Sequence, residues 1–366
     1  MVKESQISNS DYSRLIKSYA INTLGFDDCG FTDPFPGREF EAYKALVQEK
    51  ELNDLAYLNT HFPLKQNPAL LLNDVKSAVV LIKNYKNTPC QELTGNYKLS
   101  RFAVGMDYHF VIKKRLSQLE AFIIDTIPGS SCYSGVDSRP ISERSLALKS
   151  GVGILGKNNM VIHPIWGSYF FISVVLSTYP FGESLKNTMP LEQSRVSSFE
   201  TYKSNGSGTI FCKSSDPAVP AVPAERAATS SNAATVATTK KSSIDCLNCN
   251  KCVNACPVGA ISTDGTLDPF KCISYRTIEQ KTPLTQAELN SFEGWVFGCD
   301  RCQEVCPYNK PDIPLTDWPE FLPESGVGFS FITDVISGNK DLKIPKHSPL
   351  YRSKKQIKNL SSLTNF

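Results

Sequence analysis

The 366-residue sequence predicts a mixed α/β protein with an N-terminal α/β domain over residues 1–181 and a small cysteine-rich domain over 244–312. Three observations carry this expectation. Helical and strand periodicities alternate through the first 180 residues, the pattern of an α/β domain. The composition then changes to Ala/Ser/Thr/Pro-rich sequence over 182–243, which includes "SDPAVPAVPAERAATSSNAATVATTKKSS". After it, eight of the chain's twelve cysteines fall between Cys246 and Cys306.

The elements follow in order. "DYSRLIKSYAINTLG" (11–25) reads as a helix ended by Gly25, and "SAVVLIKNY" (77–85) as a buried strand. In "DYHFVIKKRLSQLEAFIIDTI" (107–127), Tyr108, Ile112, Leu116, Leu119 and Ile123 share one helical face, which predicts a core-facing helix. "ISERSLALKSG" (141–151) reads as a helix with Pro140 near its start and glycine at its end. "SYFFISVVLST" (168–178) is aromatic and β-branched, as a central strand would be. Residues 182–243 lack periodicity and large apolar residues, so they are expected to form a linker or insertion dispensable for chemistry, with Cys212 an unliganded thiol. Residues 313–366 form a C-terminal extension. Its end is basic, with Lys340, Lys343, Lys346, Arg352, Lys354, Lys355 and Lys358 against Asp341.

Bulk composition narrows the class. Thirty-nine Lys and Arg against 36 Asp and Glu leave a net charge of +3, which by itself points to no particular partner. "MVKESQISNSDYSRL" has neither an apolar signal segment nor a twin arginine. The longest apolar run, near "YFFISVVL", is too short to span a bilayer. These features predict a soluble, cytoplasmic protein without membrane contact, expected to be a monomer. On such a chain, clustered CxxC-type cysteines favour metal over disulfides.

The cysteine spacing is specific. Cys246, Cys249, Cys252 and Cys256 are closed by Pro257. Cys299, Cys302 and Cys306 are closed by Pro307, and Cys272 lies between the two runs. Eight thiolates suffice for two [4Fe–4S] clusters, and the pattern predicts a ferredoxin-like domain. In two-cluster ferredoxins the last cysteine of each run ligates the other cluster. On that rule Cys246, Cys249, Cys252 and Cys306 hold one cluster, and Cys256, Cys272, Cys299 and Cys302 the other. Zinc is the alternative, but its sites use paired CxxC units, a poor match to this spacing.

The relay must feed something in the first domain. No Gly-rich dinucleotide fingerprint is present, and "GVGILGK" (151–157) follows a helix and fails the phosphate-loop spacing. Nucleotide chemistry is therefore not expected.

Several segments together resemble the epoxyqueuosine reductase family. "VDSRPISERSLALKSGVGILGKNNMVI" with "GSYFFISVVL" resembles the family's cobalamin and catalytic-acid segment. "SRFAVGMDYHFVIKKRL" is similar to an earlier family block, and "KCISYRTIE" and "GCDRCQEVCPYN" to its iron–sulfur domain. The resemblance runs from about residue 10 to 360, outside 182–243. It implies a cobalamin-binding α/β domain fed by the two clusters, and reduction of epoxyqueuosine in tRNA to queuosine, the last step of queuosine biosynthesis. It also implies tRNA as partner and a low-potential ferredoxin- or flavodoxin-type donor. Position by position, Asp137 matches the proton donor, and Ser100, Asp137, Val161, Ile172 and Val175 match positions lining the corrinoid. Ser274, Tyr275 and Asp300 lie beside cluster ligands, where cobalamin and relay meet. Phe102, Val104, Arg139 and Ser142 depart from the family pattern, and the chain ends before the helical repeats of longer members.

Two electrons and two protons are needed to remove an epoxide oxygen as water. A general acid at Asp137 would need a raised pKa, which burial against the corrinoid could provide. Aspartate there also suits a helix N-cap before "SRPISE". Glu143, six residues on, could orient the site or face solvent. His109 and His163 are candidate cobalt ligands, but the DxHxxG pattern is absent and the family binds the cofactor without a protein ligand to cobalt. His61 and His347 carry no argument. The basic C-terminus suits phosphate contact or plain solvation equally. A related corrinoid reductase acting on a small molecule, as reductive dehalogenases do, and a non-catalytic electron carrier are the competing readings.

Overall fold

The computed structural model describes residues 8–49, 51–87, 97–182, 246, 248–326, 344–353 and 357. The expected linker beyond Gly182, with Cys212, and most of the basic C-terminal end lie outside them. All described residues belong to one compact unit, Met1–Asn187 with Ile244–Phe366.

Helix α1 (Asn9–Ser18) starts at Ser8, which forms a capping box with Asp11. It runs into a π-helical turn, Tyr19–Thr23, and the chain reverses at Gly25, whose φ of +79° suits a residue without Cβ. Strand β1 (Asp28–Thr32) follows, then α2 (Phe40–Glu49) and α3 (Tyr57–Gln66). Strand β2 (Ser77–Asn84) is buried along its whole length. After the short β3 (Lys98–Leu99) comes α4 (Tyr108–Thr126), N-capped by Asp107. Its buried face is the one read from the sequence, with Val111 added. Strand β4 (Cys132–Gly135) leads to α5 (Glu143–Ser150), which ends at left-handed Gly151. Strands β5 (Ile154–Leu155) and β6 (Val161–Ile162) form a hairpin before β7 (Phe170–Ser177).

The main sheet has the order β1-β2-β7-β4, and every pairing in it is antiparallel. This corrects the alternating α/β layout expected from the sequence; mixed α and β is what stands. The signal misled for a physical reason. A strand buried on both faces reads as an unbroken apolar run, the usual mark of a parallel strand. Here α1 and α4 cover one face and α5 the other, so an antiparallel strand is enclosed just as fully.

The cysteine-rich segment is made of short pieces: α6 (Lys251–Ala255), α7 (Ile273–Ile278), α8 (Gln286–Ser291), β8 (Trp295–Phe297) and α9 (Arg301–Glu304). It packs directly on the first. β8 pairs in parallel with β3, and a second core gathers Leu99, Ala103 and Val104 with Ile273, Phe292, Trp295 and Phe297. Residues 313–321 return to the main sheet, where Trp318 and Phe321 join the first core. Among the described residues, no helix is long and apolar enough to cross a membrane.

Candidate active site and cysteine cradle

The chain leaves the edge strand β4 at Gly135 and reaches Asp137 two residues later. Asp137 has φ +53°, a left-handed conformation that a residue with a Cβ adopts at a cost. Its carboxylate meets the start of α4. The Tyr108 hydroxyl donates to Asp137 Oδ2 at 2.6 Å, and His109 Nε2 lies 3.1 Å from the same oxygen. His109 Nδ1 in turn faces Asp107 Oδ1 at 2.6 Å. Asp107 is held because it caps α4, accepting the His109 N–H at 3.0 Å. The Tyr108 ring is stacked between His109 and Phe171, with centroids 4.0 and 4.1 Å away. Arg352 Nε, from the C-terminal segment, stands 3.9 Å from Asp107 Oδ2.

The electrostatics differ from the sequence expectation. Burial favours the neutral acid at Asp137, but the bonds from His109 and Tyr108 and the His109 and Arg352 charges outweigh it, and the pKa is lowered. Burial disfavours a charged His109, yet its two carboxylate partners win and raise its pKa. With both ring nitrogens against carboxylates, the imidazolium form donates twice. Packing around Asp137 is close, but its side chain keeps 62% of its surface open. The raised carboxyl is Glu143: burial, then the Asp137 charge, push it up to about 8 against the opposing pull of Lys65. Asp137 is no helix cap either, since α5 begins after Ser142.

The expected corrinoid contacts scatter. Ser100 and Asp300 bond to each other, and Asp300 also accepts the Arg101 N–H at 2.8 Å and is 1% exposed. They strap the end of β3 to the start of α9. Ile172 and Val175 are three residues apart on β7 and therefore face opposite ways. Ile172 packs with the α5-side core, whereas Val175, 0% exposed, lies in the α4-side core. One ligand on one face of the sheet cannot line both. Val161 is enclosed with the α5 side. Ser274 and Tyr275 are half-buried on α7, and the Tyr275 ring meets Phe270 edge-on at 5.2 Å. Asp137, Ile172, Ser274 and Tyr275 thus keep surface for a bound group, while Ser100, Val161, Val175 and Asp300 offer support from behind.

Among the described residues no three of these thiols close on one metal position, but their charges reach one another. Burial raises the Cys306 thiol, and the charges of Cys246, Cys252 and Cys249 act on it as well. Cys299 and Cys302 are likewise raised by burial and feel Cys272. Cys302 also feels Cys252 of the first run, so the two runs lie side by side. Backbone N–H groups point at the sulfurs, among them that of Ala260 at Cys256 Sγ, 3.3 Å. This soft donor set, reinforced by amides, fits iron–sulfur ligation.

Sequence reading missed Asp107, Tyr108 and His109 as one unit. The triplet lies in a quoted block, but Tyr108 was assigned to packing and His109 weighed as a cobalt ligand. His163, the other such candidate, faces Asp28 at 3.4 Å and accepts the Ile165 and Trp166 N–H groups at 3.1 and 3.2 Å. The departures are locally accommodated. Phe102 lies edge-on to Tyr108 at 6.3 Å, Val104 is buried, Arg139 stacks on Tyr133 at 5.2 Å, and the Ser142 hydroxyl donates to Lys65 O at 3.0 Å. Of the basic C-terminal side chains, Lys346 and Arg352 are described; Lys340, Lys343, Lys354, Lys355 and Lys358 lie outside the described residues.

Residues 65–138 match the family described as epoxyqueuosine reductase QueG, DUF1730, and residues 245–309 match a 4Fe-4S double cluster binding domain. An epoxyqueuosine reductase of Cellulophaga algicola is 31% identical over 313 residues, 85% of this chain and 83% of that protein. One from Leadbetterella byssophila is 31% identical over 350 residues, 94% of this chain and 95% of that protein. A crystal structure of an epoxyqueuosine reductase with an epoxyqueuosine-modified tRNA-Tyr stem loop shares the fold, at TM-score 0.65 and 22% identity over 97% of this chain and 81% of that one. The chain belongs to the epoxyqueuosine reductase family.

Proposed function

We propose that the chain carries out its family's reaction, reduction of epoxyqueuosine in tRNA to queuosine, with Asp137 and His109 as a paired acid. Two carbon–oxygen bonds of the epoxide break, an alkene forms, and the oxygen leaves as water, consuming two electrons and two protons. The observation that supports this reading best is the contact between His109 Nε2 and Asp137 Oδ2 at 3.1 Å, on a carboxylate still open to a ligand.

The raised His109 pKa and the lowered Asp137 pKa favour a proton on the imidazole beside an ionised carboxylate, so the two titrate as a unit. When a substrate covers Asp137 and excludes water, the carboxylate loses solvation and the proton passes from Nε2 to Oδ2, within reach of the leaving oxygen. Asp107 holds the ring in place, and Tyr108 fixes Oδ2. We assign Cys246, Cys249, Cys252 and Cys306 to one [4Fe–4S] cluster, and Cys256, Cys272, Cys299 and Cys302 to the other. Cobalamin, when bound, would supply a strongly reducing metal centre, and Asp137, Ile172, Ser274 and Tyr275 are the residues of this chain that would hold it. Ser100 and Asp300 tie the end of β3 to the start of α9 within the cluster segment. Reduced thiols and clusters of this kind suit the cytoplasm, with a ferredoxin or flavodoxin as donor to a monomer.

The deciding experiment is anaerobic. The protein should bind about eight iron atoms, as two [4Fe–4S] clusters require. Supplied with cobalamin and a strong reductant, it should convert epoxyqueuosine in tRNA to queuosine, read by mass spectrometry of the nucleosides. Four irons per chain would remove one cluster. Turnover of haloarenes but not of the tRNA would move the substrate to a small molecule.

A further inference from the structure

We infer that Glu143 is a positioning residue that holds Asp137 at the reacting centre by accepting its backbone N–H. This inference rests on the reading of Asp137 as proton donor, but the contact it invokes can be measured separately.

Asp137 N donates to Glu143 Oε1 at 2.6 Å across six residues of chain. The loop between them is tight. Ser138 N donates to Val136 O at 2.6 Å and Ile141 N to Arg139 O at 2.8 Å. A Cβ on Gly135 would come within 2.5 Å of Arg139 Cβ, so the loop folds back over its own entry strand. Within it, Asp137 holds φ +53°. A non-glycine residue in this region is strained and persists only where its surroundings over-determine it. The side-chain contacts from Tyr108 and His109 fix the carboxylate, but the peptide itself needs a partner, and Glu143 provides it.

Glu143 can act this way because its own base is rigid. It opens α5, whose Ser145, Leu146 and Ala147 are buried against the sheet. The Ser142 hydroxyl ties the start of this helix to Lys65 O at 3.0 Å. The groups that act on its carboxyl are Asp137 and His109 across the site and Lys65 from α3, with Arg144 beside it on α5. Either protonation state leaves an acceptor oxygen for the Asp137 N–H, so the anchor does not depend on ionisation.

The test compares Glu143→Ala with Glu143→Gln in the full-length protein carrying clusters and cobalamin. The Ala variant loses the acceptor; Gln retains one without charge. A hydrogen bond of ordinary strength predicts amide exchange at Asp137 about three- to tenfold faster in the Ala variant. Misplacing a reacting group by an ångström costs about 100-fold in rate, so kcat should fall by about 10- to 100-fold with KM little changed. The Gln variant should recover both readouts to within a few-fold. If Ala prevents folding, Glu143→Met fills the volume without an acceptor and should behave as Ala was expected to. Wild-type kcat and wild-type exchange at Asp137 in the Ala or Met variant would overturn the inference, as would a Gln variant no better than Ala. Faster exchange with undiminished kcat would leave Glu143 an anchor of no catalytic importance and overturn it too. If Asp137→Asn itself keeps full turnover, the reading of Asp137 has failed, and that result is distinct from any change in exchange.

Discussion

Two charged clusters in this molecule have similar chemistry and opposite surroundings. At the first, Lys83 on β2 is 0% exposed. Its ammonium donates to Gly25 O at 2.9 Å, to Asp27 Oδ1 at 3.3 Å and to Asp317, and stands 4.9 Å from the centre of the Trp318 ring. At the second, His109 stands between Asp107 and Asp137, and one of those carboxylates opens to solvent. The first cluster ties residues 313–318 to the sheet through a fully buried cation, although Asp317 itself keeps 57% of its side chain open. The second has partners on one side only. A buried charge with all its bonds made specifies a fold, whereas one left open and strained can exchange a proton.

The sharpest way to break this contrast is at the open cluster. Asp137→Asn keeps size and hydrogen bonding while removing the acid. Turnover should fall by about 10²- to 10⁴-fold, the usual worth of general acid catalysis, with iron and cobalamin content unchanged. Rapid single-turnover assays would check it; a variant near the wild-type rate would take Asp137 out of the mechanism.

The closed cluster should answer in stability instead. Lys83→Met strands the buried Asp27 without its cation, and breaking such a pair costs about 3–5 kcal/mol. Urea unfolding of the cofactor-loaded protein would measure it. Adding Asp27→Asn should recover part of the loss, because burial already pushes the Asp27 carboxyl up despite Lys83. A loss confined to rate would make the two clusters alike.

A smaller effect lies in the pH response of the open cluster. The His109 pKa lies above its ordinary 6.5, so its stabilising contribution is complete below 6.5 and lost as pH rises through the raised value. The Asp137 pKa lies below 3.8, so its contribution is complete above 3.8 and lost as pH falls through the lowered value. The pair therefore contributes fully between these limits. NMR titration of the His109 ring should show the raised midpoint, and Asp137→Asn should move it down. An unmoved midpoint would mean that the two side chains do not share a proton.

Relations local in the chain were legible without the structure. The face of α4, the ends of α5 and β2 and the two cysteine runs follow from periods of 3.6 and 2 and from short fixed spacings, which nearby residues impose on one another. Tertiary structure alone decided the rest. Strand direction in the sheet, the opposite facing of Ile172 and Val175 and the Ser100–Asp300 strap depend on which distant segments meet. So does the site: the resemblance singles out Asp137, but the left-handed turn that presents it is held by Glu143, and its pKa is set by Tyr108 and His109 from another helix. A pKa is a property of neighbours in space, and a single sequence records only neighbours in the chain.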